Sequence, residues 1–208
     1  GAEYLERSVD EVDFDGSQVF SRDGSSAIRL KDIGNRVMCN NGKALEVTTS
    51  HSSPVSPPPF MVGMAEIEMD METYEYELID FVAVVDCGTP INPNLVRVQT
   101  EGGLGQGIGM AMFEDVTRSQ KGRVFENSFM QYKLPTRMDV GHLQVEFESS
   151  YEPTGPFGVK SIGEVVINTP SPAIAGAVAN ASGVWIRELP ITAEKIFTEM
   201  KEKKKAVN

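Results

Sequence analysis

The chain has 208 residues, a length that suits one domain of ordinary to large size or two small ones. Its apolar share is 40% and its charged share 24%, ordinary for a globular chain, and its formal net charge is −11, which argues against a nucleic-acid module because phosphate binding asks for a basic face. No apolar run approaches the roughly 18 residues of a membrane span, and the acidic opening GAEYLERSVDEVDFDG lacks the basic-then-apolar order of a signal peptide. Two cysteines, Cys39 and Cys87, cannot make a disulfide framework, so the expectation is a soluble, acidic, cytoplasmic protein of mixed α and β structure.

In chain order, residues 1–50 read as a small, polar, strand-rich region, with Asp15-Gly16 and Asp23-Gly24 as turns around short runs at 18–21 and 27–30. The stretch SHSSPVSPPP (50–59) cannot be helix interior or central strand, because its prolines lack donors and fix φ; it predicts an extended connector and a boundary between domains 1–50 and 51–208. Residues 60–70 and 74–86 alternate in the manner of an antiparallel strand pair, and the second ends as VAVVDCG, apolar on both faces like a central strand buried on both sides. After the turn GTPINP, residues 94–113 predict a helix, and 125–133 and 143–149 two later strands. Ser171 and Pro172 predict the N-cap and first position of a helix whose stripe is Ile174, Ala175 and Val178 and whose end is Gly183. Thr192 opens a last helix with Ile196, Phe197 and Met200 turned inward and the cationic tail KEKKK as a solvated face.

The glycines of the first long helix carry the strongest anomaly. Gly102, Gly103, Gly105, Gly107 and Gly109 each cost a helix about 1 kcal/mol against alanine, so close backbone packing or a bulky ligand on a bare face must offset several. Their spacing is not that of a dinucleotide fingerprint, they lie too far beyond the strand end at Asp86, and no phosphate-loop lysine follows. His51, His142, Cys39 and Cys87 are scattered without the paired spacing of a zinc or iron–sulfur site, so no metal ligand is assigned; His51 beside Ser52 and Ser53 reads as a polar loop, and Asn180-Ala181-Ser182 as a chance sequon. Glu164, after Gly163 on a loop with Ile162, Val165 and Val166, is either a surface acid or an acid held in a partly dry cleft. Gln99 and Gln106 beside bare backbone could read a heterocycle's edge or cap a neighbouring carbonyl.

Three segments in order narrow these alternatives: FVAVVDCGTPINPNLVRVQTEGGLGQGIGMAMFEDV (81–116), FGVKSIGE (157–164) and NTPSPAIAGAVANASGVWIRELPITAEKIF (168–197). Together they resemble the C-terminal part of the molybdopterin-binding subunit of the xanthine dehydrogenase/aldehyde oxidase family, over at least residues 58–197, and SPPPFMVGMAEIEMD (56–70) resembles the lead-in strand of its bacterial purine-oxidising members. The resemblance implies an α+β fold of mixed and antiparallel sheets packed with helices, and a molybdopterin-type molybdenum cofactor whose metal is held by the cofactor's own sulfurs. It also implies that Glu164 is the general base in hydroxylation of an sp² carbon of a purine or related N-heteroaromatic ring with water-derived oxygen. Gln99 matches the family's pterin-binding glutamine; Gly102 and Gly103 would let the helix approach the cofactor, and Gly163 would bring loop backbone to the metal centre. By the same resemblance, iron–sulfur clusters and FAD are expected on other subunits or regions, which with the rest of the molybdopterin subunit would be the partners. Family subunits are several times longer, so the chain reads as a C-terminal fragment, incomplete at the N-terminal side of 1–50 and inactive alone. The alternatives are a non-catalytic scaffold that keeps the fold, or a hydroxylase acting on aldehydes or nicotinate.

Overall fold

A computed structural model describes residues 1–42, 44–50 and 52–207. The chain divides into two compact units, Gly1–Ser52 and Ser53–Asn208. In the first, β1 (Val12–Phe14), β2 (Gln18–Ser21) and β3 (Ala27–Arg29) form an antiparallel sheet in that order, followed by helix α1 (Leu30–Asn41). Its two turns are built by carboxylates accepting from nearby backbone: Asp15 Oδ1 takes the N–H groups of Ser17 and Gln18, both at 2.8 Å, and Asp23 Oδ1 that of Ser25 at 2.9 Å. The strand-rich reading of 1–50 does not include α1. Gly34, Asn35, Asn40 and Asn41 are weak helix formers, and tertiary packing, with Ile33 buried, supplies the missing preference.

In the second unit, β4 (Phe60–Met69) pairs antiparallel with β5 (Tyr76–Asp86), and β6 (His142–Glu148) lies parallel to β5 on its other side. Helices α2 (Pro93–Met112), α3 (Pro170–Ser182) and α4 (Ala193–Val207) complete it. One face of the sheet is buried: Phe81, Ala83, Val85 and Val145 meet Leu104 and Ile108 of α2 and Ile174 and Val178 of α3 in a single core. Gly63 lets the start of α3 sit on β4, because a Cβ there would lie 2.7 Å from that of Thr169. Tyr76 donates its hydroxyl to Ile191 O at 2.9 Å, tying β5 to the segment before α4, and burial pushes its phenol well above the usual range.

Several expectations need correction. β5 is central, yet only one of its faces is buried; Val84 is 38% exposed, and the facing Val62 and Met64 of β4 are more open still. Residues 125–133 are bends and turns, because Phe125, Phe129 and Met130 find no partner strand to pair with and stay exposed. Helix α3 begins at Pro170 with Thr169 as its N-cap, so Ser171 and Pro172 lie inside the first turn, while Gly183 ends it in the left-handed conformation at φ 77°. In α4, Ile196 is fully buried and Met200 packs on the core, but Phe197 is 53% exposed, its ring 6.3 Å from that of Tyr74 between centroids and 6.0 Å from Lys201 Nζ. Among the described residues no helix is long and apolar enough to cross a membrane.

Candidate functional site

The site is assembled on the N-terminal half of α2. Asn92 caps that helix by accepting the N–H of Leu95 at 3.2 Å, and Pro93 occupies its first turn, where a missing N–H costs nothing. Its glycines then divide by direction. A Cβ at Gly103 would collide with Val166, one at Gly107 would lie 2.6 Å from Pro170 Cγ, and one at Gly109 would strike Glu114; these three exist so that the chain can pack on itself. A Cβ at Gly102 or Gly105 would meet nothing within 4 Å among the described residues. These two glycines leave a strip of bare helix backbone that is flanked along the same side by Gln99 and Gln106, both exposed. Gly105 and Gln106 also line a cavity of about 310 Å³ with Glu114, Leu134 and Arg137.

The loop bearing Glu164 is laid against this strip. Gln99 Nε2 donates to Gly163 O at 2.9 Å, across 64 residues of sequence. Val166, two residues beyond Glu164, fills the space that Gly103 leaves, and Ile167 N closes a tight turn on Glu164 O at 3.2 Å. Gln99, Gly163 and Glu164 therefore stand together, with Gly102 one helical turn beyond Gln99. Gly103 is buried beneath them and supports the loop from below. Glu164 is exposed and its apolar neighbours Ile162 and Val165 are only half-buried, so among the described residues none closes a dry cleft around the carboxylate.

Two residues of this region received no role from the sequence. Asp86, at the end of β5, accepts from Lys160 Nζ at 2.7 Å, from Ser150 Oγ at 2.6 Å and from Gly88 N at 3.0 Å. The Lys160 and Ser150 donors hold its carboxyl down at about 2. Gly88 has φ 70°, and any side chain there would strike Gly158 O. Both partners lie inside quoted motifs, but their meeting across 74 residues is a tertiary fact. Cys87 is buried, which pushes its thiol up, and Cys39 is exposed; both are free. Among the described residues no group of three or more His, Cys, Asp or Glu could hold a metal ion, and His51 lies outside them.

The class is that of a cofactor-binding domain: residues 1–141 match the family described as "Molybdopterin cofactor-binding domain". The chain belongs to the molybdenum-binding subunits of the xanthine dehydrogenase/aldehyde oxidase family. It is 32% identical, over 207 residues and 97% of its length, to the protein named "Probable hypoxanthine oxidase XdhD" of Escherichia coli (strain K12). It is 29% identical over 161 residues, 76% of its length, to the carbon monoxide dehydrogenase large chain of Hydrogenophaga pseudoflava. The crystal structure of quinoline 2-oxidoreductase from Pseudomonas putida 86 superposes with a TM-score of 0.84 at 26% identity, covering 97% of this chain and 27% of that one. The chain spans only about a fifth of the length of these curated relatives, 21% and 20%.

Proposed function

We propose that this chain forms one wall of the molybdopterin site in a molybdenum hydroxylase that hydroxylates an sp² carbon of a purine or related N-heteroaromatic ring, with oxygen from water, and that Glu164 is the general base. The observation that carries this reading is the hydrogen bond from Gln99 Nε2 to Gly163 O, which joins the amide assigned to the cofactor with the backbone next to the carboxylate assigned to the substrate. The residues present fit a large heterocyclic cofactor. Gly102 and Gly105 expose flat backbone with nothing within 4 Å of where a side chain would stand. Gln99, after serving Gly163, still has a second N–H and its Oε1 to offer to a pterin edge.

The cofactor, when bound, supplies a molybdenum centre that takes two electrons from the substrate carbon. The chain's own part is positional and acid–base. Gln99 and the Gly103–Val166 contact hold the Glu164 backbone, and a Glu164 carboxylate oxygen receives the proton of the attacking oxygen. A base of this kind works best where water is excluded, and with Glu164 exposed here the covering surface has to come from the rest of the subunit. The relatives named for hypoxanthine and quinoline support an N-heteroaromatic substrate. Electrons would leave through iron–sulfur and FAD groups on other subunits or regions. In the complete enzyme, Glu164→Gln lowers turnover by at least ~100-fold, the scale of a lost general base, while molybdenum and pterin content stay at the wild-type level. Wild-type turnover in that variant would refute the assignment.

A further inference from the structure

We propose that Asp86 and Lys160 are a positioning pair, whose half-buried ion pair fixes one end of the 160–164 stretch on the end of β5 and so sets where Gly163 and Glu164 stand. The inference rests on the reading of Glu164 as base and adds to it the device that aims it.

The geometry is that of a clamp with two jaws. At the first, strand end and loop are stitched together: Lys160 N donates to Cys87 O at 2.7 Å, Thr89 N to Gly158 O at 2.8 Å, and Gly88 bridges Val159. The Lys160 side chain then turns back onto Asp86, its ammonium 5.6 Å from the centre of the Phe60 ring. At the second jaw, Gln99 holds Gly163 O. Between them, among the described residues, no backbone hydrogen bond joins residues 161–163 to the rest of the chain, and a side chain at Gly163 would meet nothing within 4 Å. A stretch with so few ties takes its place from its two ends. Asp86 is a suitable fixed point, because Ser150 Oγ and Gly88 N occupy its other oxygen and leave Oδ2 to Lys160. The pair is oriented on one side by β5, the central strand of its sheet, and it is only partly open to water, so its attraction is stronger than that of a fully exposed pair.

The test uses the complete enzyme with Lys160→Met, Lys160→Arg and Glu164→Gln. In Lys160→Met the hydrogen-bonded amides that flank the stretch, those of residues 160, 167 and 168, exchange with solvent about 10-fold faster while the β5 amides are unchanged. Its kcat falls about 100-fold, with KM within about threefold, because a displaced base loses transition-state contact more than substrate binding. Lys160→Arg, which keeps charge and reach, restores exchange and kcat together. Unchanged exchange at residues 160, 167 and 168 in Lys160→Met would overturn the proposal. If that variant yields no folded enzyme, Lys160→Gln is read in the same way and with the same deciding result. Full turnover in Glu164→Gln would remove the base assignment while leaving the exchange result to judge the clamp by itself.

Discussion

At the end of β5 one carboxylate, that of Asp86, gathers a lysine, a serine and a backbone N–H, and this concentration of donors has a consequence for stability. Folding lowers the Asp86 pKa from 3.8 to about 2, so the folded chain favours the ionised form more than the unfolded chain does. The stabilisation is complete above about pH 4 and drains away as the pH falls through about 2. Asp86→Asn therefore lowers stability at pH 7 by about 1–2 kcal/mol, allowing for partial solvent screening, and the gap to wild type closes in acid. Denaturant melts of both chains at a series of pH values between 7 and 2 check this; a gap that persists at the acid end would mean that lost packing, not charge, is what the asparagine changes. At this scale the sequence showed the residue types and hid their meetings. Glu164, Gln99 and Gly163 could be singled out from motifs, but the bond between Gln99 and Gly163 and the pair between Asp86 and Lys160 span 64 and 74 residues, which no local pattern can express. The sequence left the exposure of Glu164 open, and in space Ile162 and Val165 beside it do not cover it.

Helix α2 shows how a single element serves two purposes through one residue type. Five glycines should unsettle it, and the structure explains three as room for Val166, Pro170 and Glu114. Among the described residues nothing lies within 4 Å of where a side chain would stand at Gly102 or Gly105. One added methyl should therefore have opposite signs at adjacent positions. Gly102→Ala stabilises the chain by about 0.5–1 kcal/mol through helix propensity, yet lowers the molybdenum content of the complete enzyme. Gly103→Ala costs about 1–2 kcal/mol, because the new Cβ displaces Val166. Thermal unfolding of the two variants, with metal analysis of the enzyme carrying Gly102→Ala, decides; undiminished molybdenum in that enzyme would mean that the bare strip faces something other than the cofactor. The elements legible in sequence were those with a local signature: the β4–β5 alternation, the helical run of α2 after the GTPINP turn and the Gly183 stop of α3. Those that were not, α1 and the unpaired 125–133 stretch, depend on whether a tertiary partner is present, and propensity is blind to that.

For the second unit as a whole, the imbalance between its two sides governs how it behaves alone. The helix-covered face of the β4–β5–β6 sheet is a closed core, while on the other face Phe60, Val62 and Met64 are 60%, 63% and 58% exposed along an edge strand. An apolar face of that kind beside an unpaired strand edge attracts apolar dyes and other chains. The proposed cofactor strip is as one-sided as the sheet: Gln99, Gly102, Gly163 and Glu164 are all exposed. A site that retains a ligand tightly buries roughly 70–90% of its surface, and a single wall buries far less. The 208-residue chain, purified by itself, is therefore expected to bind an apolar fluorescent dye in its folded state and to carry molybdenum and pterin far below one per chain. Metal analysis and pterin fluorescence of the purified chain measure the second outcome directly. Molybdenum near one per chain would show that these exposed residues suffice to hold the cofactor, and would return to this chain the water-excluding role that the exposure of Glu164 assigns to the rest of the subunit.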